Sequence, residues 1–186
     1  ILGTGIQARY QAICLAQLMP ERMLNFSIWG RNPGAAQTAA HELSSQELTV
    51  KVALELEDEV RNADIIITTT PAVSPLFEDG LVRIGTHVTA IGADSPGKQE
   101  LPVGLITSAS LRVCDLSRQS LSHGEFQAAK RVDPYLDVTE LGHILSGTHS
   151  GRSSEDDITV VDLTGIAAQD IAITQAIIDA AASKKT

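Results

Sequence analysis

The 186-residue chain is 43% apolar and carries a formal net charge of −9. It is long enough to bury the core of one domain, and too acidic to offer the concentrated basic surface that nucleic acid requires. No apolar run approaches the roughly 18 residues of a membrane span. Cys14, Cys114 and the five histidines lack metal-type spacing, so no metal site is expected, and lone cysteines fit a reduced, cytoplasmic setting.

Ile1-Leu2-Gly3-Thr4-Gly5-Ile6-Gln7-Ala8 reads as a strand end, a tight glycine turn and a helix start. That arrangement lays a dinucleotide pyrophosphate against a helix N-terminus. Gly3 makes the turn, Gly5 lets backbone approach phosphate, and Ala8 lets the helix pack closely on the strand. The same spacing also occurs in ordinary strand-to-helix turns, and the rhythm of the following elements favours the dinucleotide. Only Ile1 and Leu2 stand before the glycines, whereas strands commonly run about 5–6 residues. The sequence therefore reads as a portion of a longer protein.

A helix is predicted from about Gln7 to Leu18. A strand follows over Leu24–Trp29, ending at Gly30-Arg31-Asn32-Pro33. Next come a helix over Ala35–Leu43, a strand over Leu48–Ala53 and a short helix over Leu56–Arg61. Asp64-Ile65-Ile66-Ile67-Thr68-Thr69-Thr70, stopped by Pro71, has the β-branched character of a strand buried on both faces. Further strands are expected at His87–Ile91, Leu111–Cys114 and Ile158–Leu163, and a long apolar helix at Ile166–Ala182. Gly147–Asp157, rich in Gly, Ser and acid, reads as a mobile loop. The alternation predicts an α/β fold: a doubly wound, Rossmann-type, mostly parallel sheet with helices on both faces. Residues 1–165 would form the nucleotide-binding domain.

Ligands in such sheets bind beyond the carboxyl ends of the strands. At the end of Leu24–Trp29 no acid is available for the 2′-hydroxyl of NAD, whereas Arg31 suits the 2′-phosphate of NADP. NADP is favoured over NAD on that ground, against the alternative that Arg31 merely solvates a strand end. Asp94 follows an apolar strand and could move a proton on a bound amine or imine, although Asp-Ser-Pro-Gly is equally good turn chemistry. Lys98 could meet cofactor or substrate charge. The hydroxyls of Thr68-Thr69-Thr70 could meet the cofactor or satisfy the strand's own last groups, and Thr164 could be a plain helix cap. Asp115, Glu125, Glu140 and Asp162 show no partner by spacing and read as structural. Ser122-His123 has no acid partner for a hydrolase triad.

With these residues in view, the chain resembles the ornithine cyclodeaminase/mu-crystallin family essentially from end to end. The matching pieces are Gly3–Arg9, Ile28–Asn32, Ala63–Pro71 and Gly92-Ala93-Asp94-Ser95-Pro96-Gly97-Lys98-Gln99-Glu100-Leu101, the last being the most specific. To them are added Gly124-Glu125, Glu140–Gly142, Gly151-Arg152 and Ile158–Gly165. The resemblance implies a nicotinamide dinucleotide in a Rossmann domain. A separate domain for substrate and dimerisation, built mostly from the N-terminal part of the family's chains, would lie outside this sequence, and residues 166–186 would return to it. It implies that Asp94 is the proton donor or acceptor, with Gly165 beside it at the substrate. Cofactor contacts would fall on Ile6, Gln7, Arg31, Asn32, Thr69, Ile91, Gly92, Lys98 and Thr164. The implied chemistry is hydride transfer at the α-carbon of a small amino or imino acid, by a homodimer. Ketimine reduction or amino-acid dehydrogenation is favoured by the Arg31 reading. Cyclodeamination of ornithine to proline and ammonia is the alternative, and a non-catalytic NADPH-binding protein of mu-crystallin type is a second.

Overall fold

A computed structural model gives the fold of residues 1–183. The β-branched and apolar runs form short strands: β1 (Asn25–Ile28), β2 (Thr49–Val52), β3 (Ile65–Thr68), β4 (His87–Ala90), β5 (Leu111–Cys114), β6 (Thr139–Glu140) and β7 (Thr159–Asp162). The connecting helices are α1 (Ile6–Leu18), α2 (Pro33–Ser44), α3 (Leu56–Asn62), α4 (Val103–Ser108), α5 (Ser117–His123), α6 (Phe126–Val132) and α7 (Leu141–Leu145). Helix α8 (Ala167–Ser183) follows the last strand. Residues 184–186 of the expected C-terminal segment lie outside the described residues.

Every strand pair is parallel. β1 pairs with β2, and β3-β4-β7-β5-β6 form a five-stranded sheet in that order. Leu2 joins the two sheets through parallel bridges to Trp29 and Thr68. Its N–H donates to Ile67 O (2.7 Å), its carbonyl accepts from Thr69 N–H (2.8 Å), and Gly3 N–H donates to Trp29 O (2.8 Å). Leu2 thus stands between β1 and β3 in strand position, and all carboxyl ends share one edge.

Small residues bring the first helices close to the strands. Ala8 and Ala12 of α1 are buried, as are Ala36, Ala39, Ala40 and Leu43 of α2 at helical spacing. Ala12, Ala36, Ala39 and Leu43 pack with Phe26 and Ile28 in one cluster. A larger cluster centres on Phe126, Leu101, Ile106, Val88 and Val160. Each such large side chain, fully buried, contributes on the order of 1.5–3 kcal/mol. Cys114 lies in this cluster. Burial, with Glu140, Asp162 and Asp115 nearby, pushes its thiol up to about 12, whereas Cys14 on α1 is exposed.

One expectation needs extension. Between Val103 and Leu145 sequence reading predicts only the strand that is β5, and the structure adds four short helices and the two-residue β6. Gly147–Asp157 lies outside the helices and strands, as expected of a loop, and its second half is tied by hydrogen bonds. Asp157 Oδ2 accepts from Ser153 N–H, Ser153 Oγ and Ser154 N–H, each at 2.9 Å. Arg152 donates to Gly85 O (2.8 Å) and Glu155 O (2.5 Å). Helix α8 buries none of its residues, and Ile171, Ile173, Ile177 and Ile178 are all exposed. Among the described residues no helix is long and apolar enough to cross a membrane.

Candidate active site

The glycine turn is fixed by what surrounds it. Gly3 has φ +135°, and a Cβ there would stand 2.2 Å from Thr69 Oγ1, so the turn lies against the end of β3 and excludes a side chain. Arg9 reaches back from α1 to Thr4 O and Gly5 O and pairs with Glu42 of α2. The first turn of α1 has no side-chain cap and no acid, and a Cβ on Gly5 would meet nothing within 4 Å. Ile6 and Gln7 are exposed beside it. Unpartnered helix amides opening onto free space suit a pyrophosphate.

Beyond β1, the Thr4 side chain lies against Gly30, which places the next residue near the turn. Arg31 is exposed and makes no hydrogen bond or ion pair among the described residues. Asn32 Oδ1 accepts from Ala35 N–H (3.2 Å) as the cap of α2, with Pro33 following at the first helical position. Its carbonyl oxygen is therefore engaged, whatever its amide does.

Asp94 stands past the end of β4 with its side chain 52% exposed. Its Oδ1 accepts from Lys98 Nζ (2.6 Å) and Ser95 Oγ (2.9 Å). The Lys98 hydrogen bond holds the carboxyl below its usual range, so it rests ionised and its Oδ2 has no protein partner among the described residues. Lys98, expected at the cofactor, is thus paired with Asp94. Gln127 of α6 holds the same loop: it accepts from Gly97 N–H (3.0 Å) and donates to Lys98 O (3.1 Å).

Beneath the loop lies Glu100, fully buried. It accepts from Thr68 Oγ1 (2.7 Å), Thr70 N–H (2.5 Å), Thr70 Oγ1 (2.7 Å) and Gly92 N–H (2.8 Å). Two of the threonine hydroxyls considered for the cofactor are therefore committed to Glu100. Thr69 Oγ1 has only a long contact to Leu2 O (3.4 Å). Ile91 continues the β4 ladder, its N–H donating to Thr68 O (2.9 Å).

At the end of β7, Thr164 Oγ1 donates to Asp115 Oδ1 (3.0 Å) and accepts from Gln119 Nε2 (3.1 Å). Gly165 N–H donates to Asp115 Oδ2 (2.6 Å), and Gln119 Nε2 also reaches Gly165 O (2.9 Å). Thr164 is thus held by Asp115, at the end of β5, and by Gln119 of α5 rather than acting as a free helix cap. Burial pushes the Asp162 carboxyl up to about 7 and that of Glu125 up to about 8.

The carboxyl edge brings Gly3–Gln7, Arg31–Asn32, Thr69, Ile91–Lys98 and Thr164–Gly165 into one row. A concavity of about 360 Å3 lies elsewhere, at the amino ends of β1 and β3 beside Asn25, Ser27, Lys51 and Glu59. It touches neither the glycine turn nor Asp94, and ligands of doubly wound sheets bind at the opposite edge. Sequence reading missed Glu100, Gln127 and Arg9. Glu100 and Arg9 lie inside the matched pieces, but nothing in their spacing shows where their side chains turn. The acids read as structural do have partners: Glu140 accepts from Ser117 N–H (2.9 Å) and Oγ (2.7 Å).

The family model described as ornithine cyclodeaminase/mu-crystallin family matches residues 1–185. An iminosuccinate reductase from Paracoccus denitrificans is 31% identical over 186 residues, 99% of this chain and 57% of the relative. Its crystal structure in complex with NAD+ superposes with a TM-score of 0.84, at 32% identity, covering 99% of this chain and 56% of that one. An archaeal alanine dehydrogenase dimer with bound NAD gives 0.88 at 32% identity, covering 100% of this chain and 57% of its own. A structure of lysine cyclodeaminase, described for recognition of L-lysine, L-ornithine and L-2,4-diaminobutyric acid, gives 0.87 at 29% identity, covering 100% and 53%. The chain spans about half the length of the curated relatives it matches.

Proposed function

The chain belongs to the ornithine cyclodeaminase/mu-crystallin family, and from that premise we propose that its protein transfers hydride between a nicotinamide dinucleotide and the α-carbon of a small amino or imino acid. Ketimine reduction or amino-acid dehydrogenation is the favoured form. The observation that carries this reading is the row along the carboxyl edge: Arg31 after β1, with no partner among the described residues, the open glycine turn after Leu2 and, beyond the end of β3, an ionised Asp94 after β4. The alanine dehydrogenase and the iminosuccinate reductase among the relatives support the reaction class.

The bound cofactor would supply the hydride chemistry. The amides at the start of α1 would hold its pyrophosphate, with Gly3, Gly5, Ile6 and Gln7 lining the approach. Arg31 would take a 2′-phosphate in its planar fork, favouring NADP over NAD. Thr69, Ile91, Gly92, Lys98 and Thr164 would line the remaining length, and Gly165 would lie at the substrate. Asp94 Oδ2 would accept a proton from the substrate amine or an attacking water during oxidation and return one during reduction. Lys98, by stabilising the carboxylate, favours the proton-accepting role at rest.

We assign residues 1–165 to the nucleotide-binding domain and the C-terminal helix to contact with a substrate and dimerisation portion of the whole protein. A cytoplasmic setting is part of the same proposal, supported by the two unpaired thiols and by the nicotinamide cofactor proposed here. The likeness to lysine cyclodeaminase favours one second reading, cyclodeamination of ornithine with no net consumption of cofactor.

The test is turnover by the whole protein with NADPH or NADH, using cyclic ketimines, keto acids with ammonia, and ornithine. Consumption of NADPH with a ketimine or keto acid is expected. Ammonia released from ornithine without net cofactor change would select cyclodeamination. Tight NADPH binding with no turnover on any of these would replace the enzyme by a carrier.

A further inference from the structure

Asp94, Ser95 and Lys98 sit on a loop that leaves β4, turns at Pro96-Gly97 and returns at Glu100. One side chain connects the start of that loop to the neighbouring strand. Glu100 receives two donors from Thr70, one from Thr68 and one from Gly92, all within 2.8 Å. Four donors are what a carboxylate wholly removed from water needs. The close approach also explains a glycine at position 92, where a Cβ would lie 2.0 Å from Thr70 O and 2.7 Å from the Glu100 carboxyl.

Glu100 is itself held from behind. Its N–H donates to Glu125 (3.0 Å), and Leu101 N–H donates to Glu125 Oε1 (2.7 Å). Glu125 N–H in turn donates to Asp162 Oδ2 (2.9 Å), at the end of β7. A chain of buried carboxylates, each gripping the backbone of the next segment, runs from β7 past the α5–α6 junction to the ends of β3 and β4. All three acids are fully buried.

We propose that Glu100 is a positioning residue of the active site, clamping the end of β3 to the end of β4 so that the Gly92–Lys98 loop presents Asp94 in one place. This rests on the enzymatic reading above. A residue that only stabilised the fold would change the amount of folded protein and its melting temperature. It would leave turnover per cofactor-binding site unchanged.

The experiment is Glu100→Gln in the whole protein, which keeps the shape but aims an amide N–H2 at N–H and O–H donors. Turnover per bound cofactor is expected to fall about 100-fold, the scale of a misplacement near 1 Å. Cofactor affinity should stay within about threefold. The acid limb of the pH–rate profile should shift, because Asp94 would no longer hold its place beside Lys98. The amide hydrogens of Thr70 and Gly92 should exchange at least about tenfold faster, with those of β7 unchanged. Folded variant with parental turnover, or with parental protection at Thr70 and Gly92, overturns the proposal. If Glu100→Gln does not fold, Thr68→Val removes one buried donor at nearly constant shape and should give a several-fold loss in the same readouts; no change there overturns it equally. Absence of turnover in the parent protein would count against the enzymatic reading. The exchange measurement would still decide whether Glu100 makes the clamp.

Discussion

The two ends of the site are built differently. Along α1, β1 and α2, small apolar residues form the packing, and two groups at the edge are left uncommitted: the first amides of α1, which have no side-chain cap, and Arg31, which has no partner among the described residues. Along β4, β7, α5 and α6, buried acids hold backbone amides, and nearly every polar side chain at the edge has a protein partner. The first region leaves hydrogen-bonding capacity free, as the proposed cofactor would need, and the second uses its capacity internally, which on the proposed reading fixes the loop that carries Asp94.

Four substitutions would break or sharpen that contrast. The largest effect is expected for Asp94→Asn, which should lower turnover by about 10²–10⁴-fold, the usual worth of a general acid or base, while leaving cofactor affinity unchanged by titration. Equal losses in both would merge the two regions into one binding surface. Arg31→Ala should weaken NADPH by about 10–100-fold, as for loss of a charge-assisted hydrogen bond, with little change for NADH. Unchanged discrimination in fluorescence titrations would remove Arg31 from the site. Gly3→Ala should cost about 1–3 kcal/mol in stability from strain alone, measured by denaturant unfolding, and should weaken either cofactor.

The smallest effect concerns pH. The Glu125 carboxyl is raised to about 8 in the fold, chiefly by burial, above its ordinary value of 4.5. The folded state therefore binds the extra proton between those values, so this group's stabilisation is complete below about 4.5 and declines as pH rises to about 8. Glu125→Gln removes the titration. Its melting temperature should gain on that of the parent between pH 6 and 8.5. A constant difference across that range would show that Glu125 does not titrate there.

The glycine turn, Arg31 and the Asp94 loop were legible because each is a local string whose residue types carry its geometry. The parallel sheet was legible from strand–helix alternation and from the Ile65–Thr68 run. The carboxylate chain was not. Glu100, Glu125 and Asp162 meet backbone amides across gaps of 25 and 37 residues, and no periodicity records such a meeting. Helices α4 to α7 escaped because each has five to seven residues, too few for a clear amphipathic period. Asn32 and Thr164 were found as site candidates, yet their engagement by Ala35, Asp115 and Gln119 becomes visible only once the chain is folded.

The unequal setting of the two cysteines has a practical use. A maleimide dye at neutral pH should attach to Cys14 and spare Cys114, whose thiol stays protonated and enclosed. Cys14 lies on the helix that starts at the glycine turn, so a single dye on the unaltered protein would report nucleotide arrival by fluorescence, and labelling at both thiols would show that the second sheet opens in solution.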